Sequence, residues 1–275
     1  MRFLTTLTNL AKSDYGLWIF LASALVAQAV FIYLVANGIL FENLYVMGRF
    51  YILLILAISF TIFREGPRGV WELIRPMLNW RVSIGWYLFA IFWLVIFAIG
   101  ILFFKNMIIG DAFKAIPLTF SAFNTPGIYW VVPLNAIIEE IVWVGLVLTL
   151  LQNRYSVFIS SQILGFFWFL WWVPVVLYGR AVIPDLPIPV LFFHYFGIAA
   201  TCAWVYYFTK SGLVVALMQM LTNVVSLIVP ILPHLSDIQT YIAFVIGKLV
   251  FVVLLFVIFG PKPFFKKVAV MRQQT

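Results

Sequence analysis

The 275-residue chain is 65% hydrophobic and 9% charged, with 17 Lys and Arg against 9 Asp and Glu, a formal net charge of +8 and a mean hydropathy of +1.12. Soluble domains carry about 25% charged residues, so a soluble fold is excluded and an all-α polytopic membrane protein is expected, read as a single integral membrane domain over 1–275. The lone cysteine, Cys202, excludes an internal disulfide and a cysteine-based metal cluster.

Eight apolar runs follow one another at roughly 17–37, 45–63, 83–104, 129–151, 156–178, 190–208, 212–232 and 239–260, each near the ~20 residues that cross a hydrocarbon core. With the N-terminus in the cytoplasm, Arg2, Lys12, Arg64, Arg68, Arg75, Arg81, Arg154, Lys210, Lys262, Lys266, Lys267 and Arg272 fall on the cytoplasmic side. Only Lys105, Lys114 and Arg180 fall opposite, and Arg49 and Lys248 lie within spans. This is the positive-inside asymmetry. It places both termini in the cytoplasm, makes a plasma or inner membrane the expected location, and gives nucleic acid no role as a partner.

Residues 1–16 read as a short cytoplasmic lead. Ala27-Gln28-Ala29 resembles a signal-peptidase site, but the apolar run continues through Val35 and the polar lead is a poor signal region, so a retained span is expected. Glu42 and Arg49 read as a surface ion pair near the far end of the second span. The connection 64–82 mixes arginines with Trp71, Leu73, Ile74, Leu78 and Trp80, the pattern of an interfacial amphipathic helix broken at Pro76 and anchored to anionic lipid. On the other side, 105–128 is long enough to fold back over the membrane, and 179–189 is stiffened by Pro184, Pro187 and Pro189. The tail 261–275 is a basic juxtamembrane segment with aromatic anchors.

Polar residues inside the spans are few. Glu139 and Glu140 sit side by side near the midplane of the fourth, where a carboxylate costs ~2.5–3.5 kcal/mol even on lenient scales, so the pair marks a site by default. Adjacent residues point about 100° apart on a helix, so both reach one cavity only if it is wide. Asn135 lies one turn from Glu139. Asn223 and Gln219 share a face of the seventh span, and Lys248, midway along the eighth, is the candidate charge partner by depth. His194 reads as a packing or interfacial histidine and His234, in a turn, as solvated. Two histidines remote in depth from the glutamates make a metal site hard to assemble, so no metal and no other cofactor is expected.

Three motifs in order across 129–232 resemble the CPBP family, the CAAX prenyl endopeptidase and bacteriocin-processing (Abi-type) intramembrane proteases. The family pattern EExxxR reads here Glu139-Glu140 with Val144 at the arginine position. The pattern FxxxH reads Trp168 and Trp172, and HxxxN reads Gln219 and Asn223, preceded by a similar turn at Thr209-Lys210-Ser211-Gly212. The resemblance implies an eight-helix membrane fold and a buried peptidase in which a glutamate activates water while His and Asn stabilise the oxyanion. An active site would then comprise Glu139, Glu140, Gln219 and Asn223. The losses at Val144, Trp172 and Gln219 count against turnover, since one oxyanion donor alone is worth ~10²–10³ in rate.

The leading expectation is therefore a CPBP-like protein with a degenerate site, serving as a non-catalytic binding or scaffold subunit whose partners are membrane lipids and other membrane-protein subunits. An active intramembrane endopeptidase, or a lipid- or acyl-processing relative, with a rearranged site on Glu139 and Glu140 is the alternative. A small transporter or immunity protein using a Glu–Lys pair comes third.

Overall fold

The computed structural model describes residues 2–110, 115–125, 127–179 and 186–261, with side chains from residue 5. Its helices are α1 (Arg2–Lys12), α2 (Gly16–Ala36), α3 (Tyr45–Glu65), α4 (Pro67–Ile74), α5 (Ile84–Ile108), α6 (Ile128–Glu140), α7 (Thr149–Gln152), α8 (Val157–Tyr178), α9 (Ile188–Thr209), α10 (Gly212–Ile228) and α11 (Ile238–Phe259). A π-helical stretch, Ile141–Leu148, joins α6 to α7 into one span, Ile128–Gln152. Seven helices are long and apolar enough to cross a membrane among the described residues, and the protein is an integral multi-pass membrane protein. The eighth expected span is α10, at 17 residues. At 1.5 Å per residue it covers about 25 Å, less than a ~30 Å core, because the chain leaves the helix after Ile228 and continues as a buried turn through Leu232.

Polar residues start these helices where the backbone leaves N–H groups unpaired. Ser83 Oγ accepts from Gly85 N, Ser156 Oγ from Ile159 N, Ser211 Oγ from Val214 N, and Asp237 Oδ1 from Thr240 N. Glycine ends α3 and α8, where Gly66 and Gly179 adopt φ of 77° and 72°.

The lead is not irregular: α1 is a helix that lies on α2 and α3. Arg64 Nη1 donates to Ala11 O at 2.8 Å and Arg154 pairs with Asp14. The amphipathic connection forms α4 and then a 3₁₀ turn at Arg75–Leu78 around Pro76, with Leu73 buried and Trp71, Leu78 and Trp80 exposed. Asn79 Nδ2 donates to Thr209 O and Lys210 O, clamping this connection onto the turn between α9 and α10. The arginine-rich segments thus gather at one end of the bundle. At the other end Lys105 pairs with Asp237, and Thr119 N donates to Ile228 O, folding the 105–128 connection over the end of α10. Most of the 179–189 loop and of the basic tail lies outside the described residues.

Burial sorts the helices into inner and outer. Over an apolar 18-residue window of each, 72% of the Ile128–Gln152 span and 67% of α9 is buried, against 28% of Glu42–Glu65 and of α5. The outer helices turn Phe92, Ile96, Phe103, Val253 and Phe259 outward, as expected where the solvent is hydrocarbon. The most extensive helix–helix contact is α8 on α9. It depends on Gly165, where a Cβ would stand 3.0 Å from Tyr195 O and 3.1 Å from Phe196 Cα.

Candidate functional site

Inside this bundle, α3, α6, α8, α9, α10 and α11 enclose a chamber of about 130 Å³. Its polar lining comprises Arg49, Asn135, Glu139, His194, Gln219 and Asn223, with Trp168, Trp172, Tyr195 and Tyr241 among its rings. A buried water occupies about 30 Å³, so the chamber has room for about four.

The two glutamates part company. Glu139 lines the chamber, 4% exposed, and its Oε1 accepts a hydrogen bond from Trp168 Nε1 at 3.1 Å. Glu140 is fully buried away from the chamber, and neither of its oxygens has a hydrogen-bond partner among the described residues. The 100° between adjacent helical residues is the reason: α6 can turn only one of them inward. Directly after Glu140 the backbone becomes π-helical, and Thr149 Oγ1 donates to Val144 O five residues back at 3.1 Å. The wider turn closes against α4, where Gly145 lets the chain pass Leu73 O; a Cβ there would stand at 3.1 Å. Stretches of π-helix are rare and concentrate at functional sites. Val144 is 0% exposed in the core and does not line the chamber.

Gln219 and Asn223 both reach the chamber, one helical turn apart on α10 as expected, with Thr222 and Ser226 beside them. Trp172 forms part of the wall rather than plugging the space. Its ring lies 6.2 Å from that of Tyr195, nearly parallel, and its Nε1 is near Glu139 but outside hydrogen-bond geometry.

Three expectations need correcting. Lys248 does not pair with either glutamate: its Nζ lies 3.5 Å from His194 Nε2 and 4.6 Å from the Phe244 centroid. The cause is helix packing. The main neighbours of α11 are α9 and α5, while α6 packs on α10 and α3, and the lysine stem runs over Gly197 of α9 in space that a Cβ would take. His194, read as remote from the glutamates, lines the same chamber as Glu139, and its Nδ1 has no partner. His234 is half-buried rather than solvated, which pushes its imidazole pKa below the ordinary value.

Arg49 departs furthest from expectation. It is 2% exposed and makes no ion pair among the described residues. Its guanidinium sits 4.2 Å from the Phe50 centroid, 4.5 Å from Trp172 and 5.1 Å from Trp171, an aromatic cage of the cation–π kind. It is also close enough to Glu139 for the two charges to attract. A signal was present in the sequence: an arginine four residues into an apolar run is a candidate site residue in its own right.

Chemically, the chamber offers one carboxylate, three primary amides, two phenols, an imidazole and a guanidinium. Among the described residues no group of three or more His, Cys, Asp or Glu converges to hold a metal ion. Residues 121–225 match the family model described as type II CAAX prenyl endopeptidase Rce1-like. The matched segment runs from just before α6 almost to the end of α10 and so contains every motif position discussed above. No curated protein shows significant similarity to the chain.

Proposed function

We propose that this chain, whose residues 121–225 match the Rce1-like family model, is a CPBP-like membrane protein that uses its intramembrane chamber to bind a ligand without ordinary peptidase turnover. The observation that supports this reading is the pair of indoles on Glu139. Trp168 donates to Oε1, and Trp172 stands where the family pattern places an imidazole. An indole N–H donates but neither accepts nor relays a proton, so neither of these two rings serves the carboxylate in proton transfer. The surface role of such a protein is that of a membrane subunit. Its lipid-facing helices and the exposed Tyr129 and Trp130 at the start of α6 supply the face for lipids and neighbouring subunits.

The second reading, a rearranged hydrolase, draws on Arg49 and His194. Both enter the chamber from helices that carry no family motif, and with Asn223 and Gln219 they offer donors to a developing oxyanion. One experiment separates the two. The purified protein is incubated with prenylated and with acylated peptides, and products are followed by mass spectrometry, beside Glu139→Gln. The binding reading expects no Glu139-dependent product. Cleavage abolished by Glu139→Gln would overturn it in favour of the hydrolase.

A further inference from the structure

We infer that the chamber's ligand is a carboxylate carried on an apolar stem and held by Arg49; this deepens the binding reading and rests on it. A buried guanidinium costs several kcal/mol unless its charge and its N–H groups are matched. In Arg49 both Nε and Nη1 lack a hydrogen-bond partner among the described residues although the group is almost fully enclosed. Glu139 is near enough to attract the guanidinium but leaves these N–H groups unmatched, since its Oε1 accepts from Trp168 and no ion pair joins it to Arg49 among the described residues.

The cage of Phe50, Trp171 and Trp172 touches the guanidinium through ring faces, which offer no in-plane acceptor and leave the N–H edge for another group. Among the other unpartnered atoms of the chamber, Trp172 Nε1 is a donor and Tyr241 Oη can donate, while Asn135 Oδ1 is an acceptor. A ligand that completes the chamber is therefore rich in acceptors at one end. The fork of an arginine selects a planar carboxylate, which it binds through two parallel hydrogen bonds. The remaining lining, with Val131, Val132, Leu191 and Leu227, is apolar. Space for about four water-sized groups fits a carboxylate and the first carbons of its stem. Two sources carry that chemistry, a fatty acid and the C-terminus of an apolar peptide.

The test is equilibrium binding to the purified full chain in a non-ionic detergent. Radiolabelled oleate is compared with oleyl alcohol, and an apolar hexapeptide with a free C-terminus is compared with its C-terminal amide. The expected result is saturable binding of at least one acid, with its neutral counterpart at least tenfold weaker. Arg49→Met should reduce the acid to the level of the neutral analogue, and Arg49→Lys should retain part of the preference. Whichever acid saturates identifies the source. Equal binding of acid and neutral analogue to the unmodified protein, or saturation by neither acid, overturns the inference. This comparison needs no variant, so it stands even if Arg49→Met fails to fold. A Glu139-dependent cleavage with acid preference intact would overturn the binding reading while leaving Arg49 its ligand. Loss of acid preference with no turnover would overturn the role of Arg49 alone.

Discussion

Gly165→Ala is the smallest change that should disturb the chamber from a distance. The added methyl would stand 3.0 Å from Tyr195 O, 3.1 Å from Phe196 Cα and 3.3 Å from Ala199 Cβ. Two of these are backbone atoms that cannot rotate away, so α8 must move off α9 by a few tenths of an ångström. Overpacking of this kind costs about 1–3 kcal/mol, against about 1 kcal/mol gained when glycine in a helix becomes alanine. The net expectation is a loss of about 1 kcal/mol, a fall of roughly 2–4 °C in Tm for a chain of this size. Gly100→Ala in α5 is the matched control: it meets nothing within 4 Å, so only the propensity gain remains and Tm should hold or rise. Both are measured by thermal unfolding of the purified protein in one detergent. Because α8 carries Trp168 and Trp172 and α9 carries His194, Gly165→Ala should also weaken whatever the chamber binds. If Gly165→Ala matches Gly100→Ala in Tm, the close approach of α8 and α9 is wrong and the chamber geometry with it.

Trp168→Phe removes the indole hydrogen bond to Glu139 Oε1 while keeping most of the ring, and leaving a buried acceptor unpaired costs about 1–3 kcal/mol; a Tm equal to that of the unmodified protein would show that water replaces the indole. Asp237 is held at a pKa of about 2, first by its hydrogen bond from Lys105, against burial. A depressed carboxylate stabilises the fold above its ordinary value near 3.8, and that contribution is lost as pH falls through about 2. The Tm gap between the native protein and Asp237→Asn should therefore be constant above pH 5 and close between pH 4 and 2; a gap that persists at pH 2 would place the effect elsewhere. Cys202 is buried, so the native chain should resist a membrane-impermeant maleimide. In a Cys202→Ser background, single cysteines at Arg75 and at Leu118 should react from opposite sides of sealed vesicles, the first from the cytoplasmic side. Labelling of both from one face would reverse the topology drawn from charge.

Composition and hydropathy alone determined the solvent of this protein, because apolar runs near 20 residues with almost no charge have no other stable home. Basic-residue placement determined its expected orientation, and three short patterns across 129–232 were enough to point to the family whose model matches residues 121–225. Those properties are local: each is read from residues adjacent in the chain or one turn apart. What faces what is not local. Periodicity places Gln219 and Asn223 on one stripe of α10, and the fold turns that stripe inward. It cannot say which of two adjacent glutamates the stripe will meet, and the angle at which α6 packs on α10 and α3 selected Glu139 and left Glu140 in the core. Depth made Lys248 look like the partner of the glutamates, yet depth says nothing of azimuth, and α11 turns that lysine onto His194 across Gly197. Arg49 reaches the chamber from 95 residues before Val144 in the chain, because α3 packs against α6. Only tertiary contact could decide that, since a span fixes how far a residue lies across the membrane and its neighbours fix which way it looks.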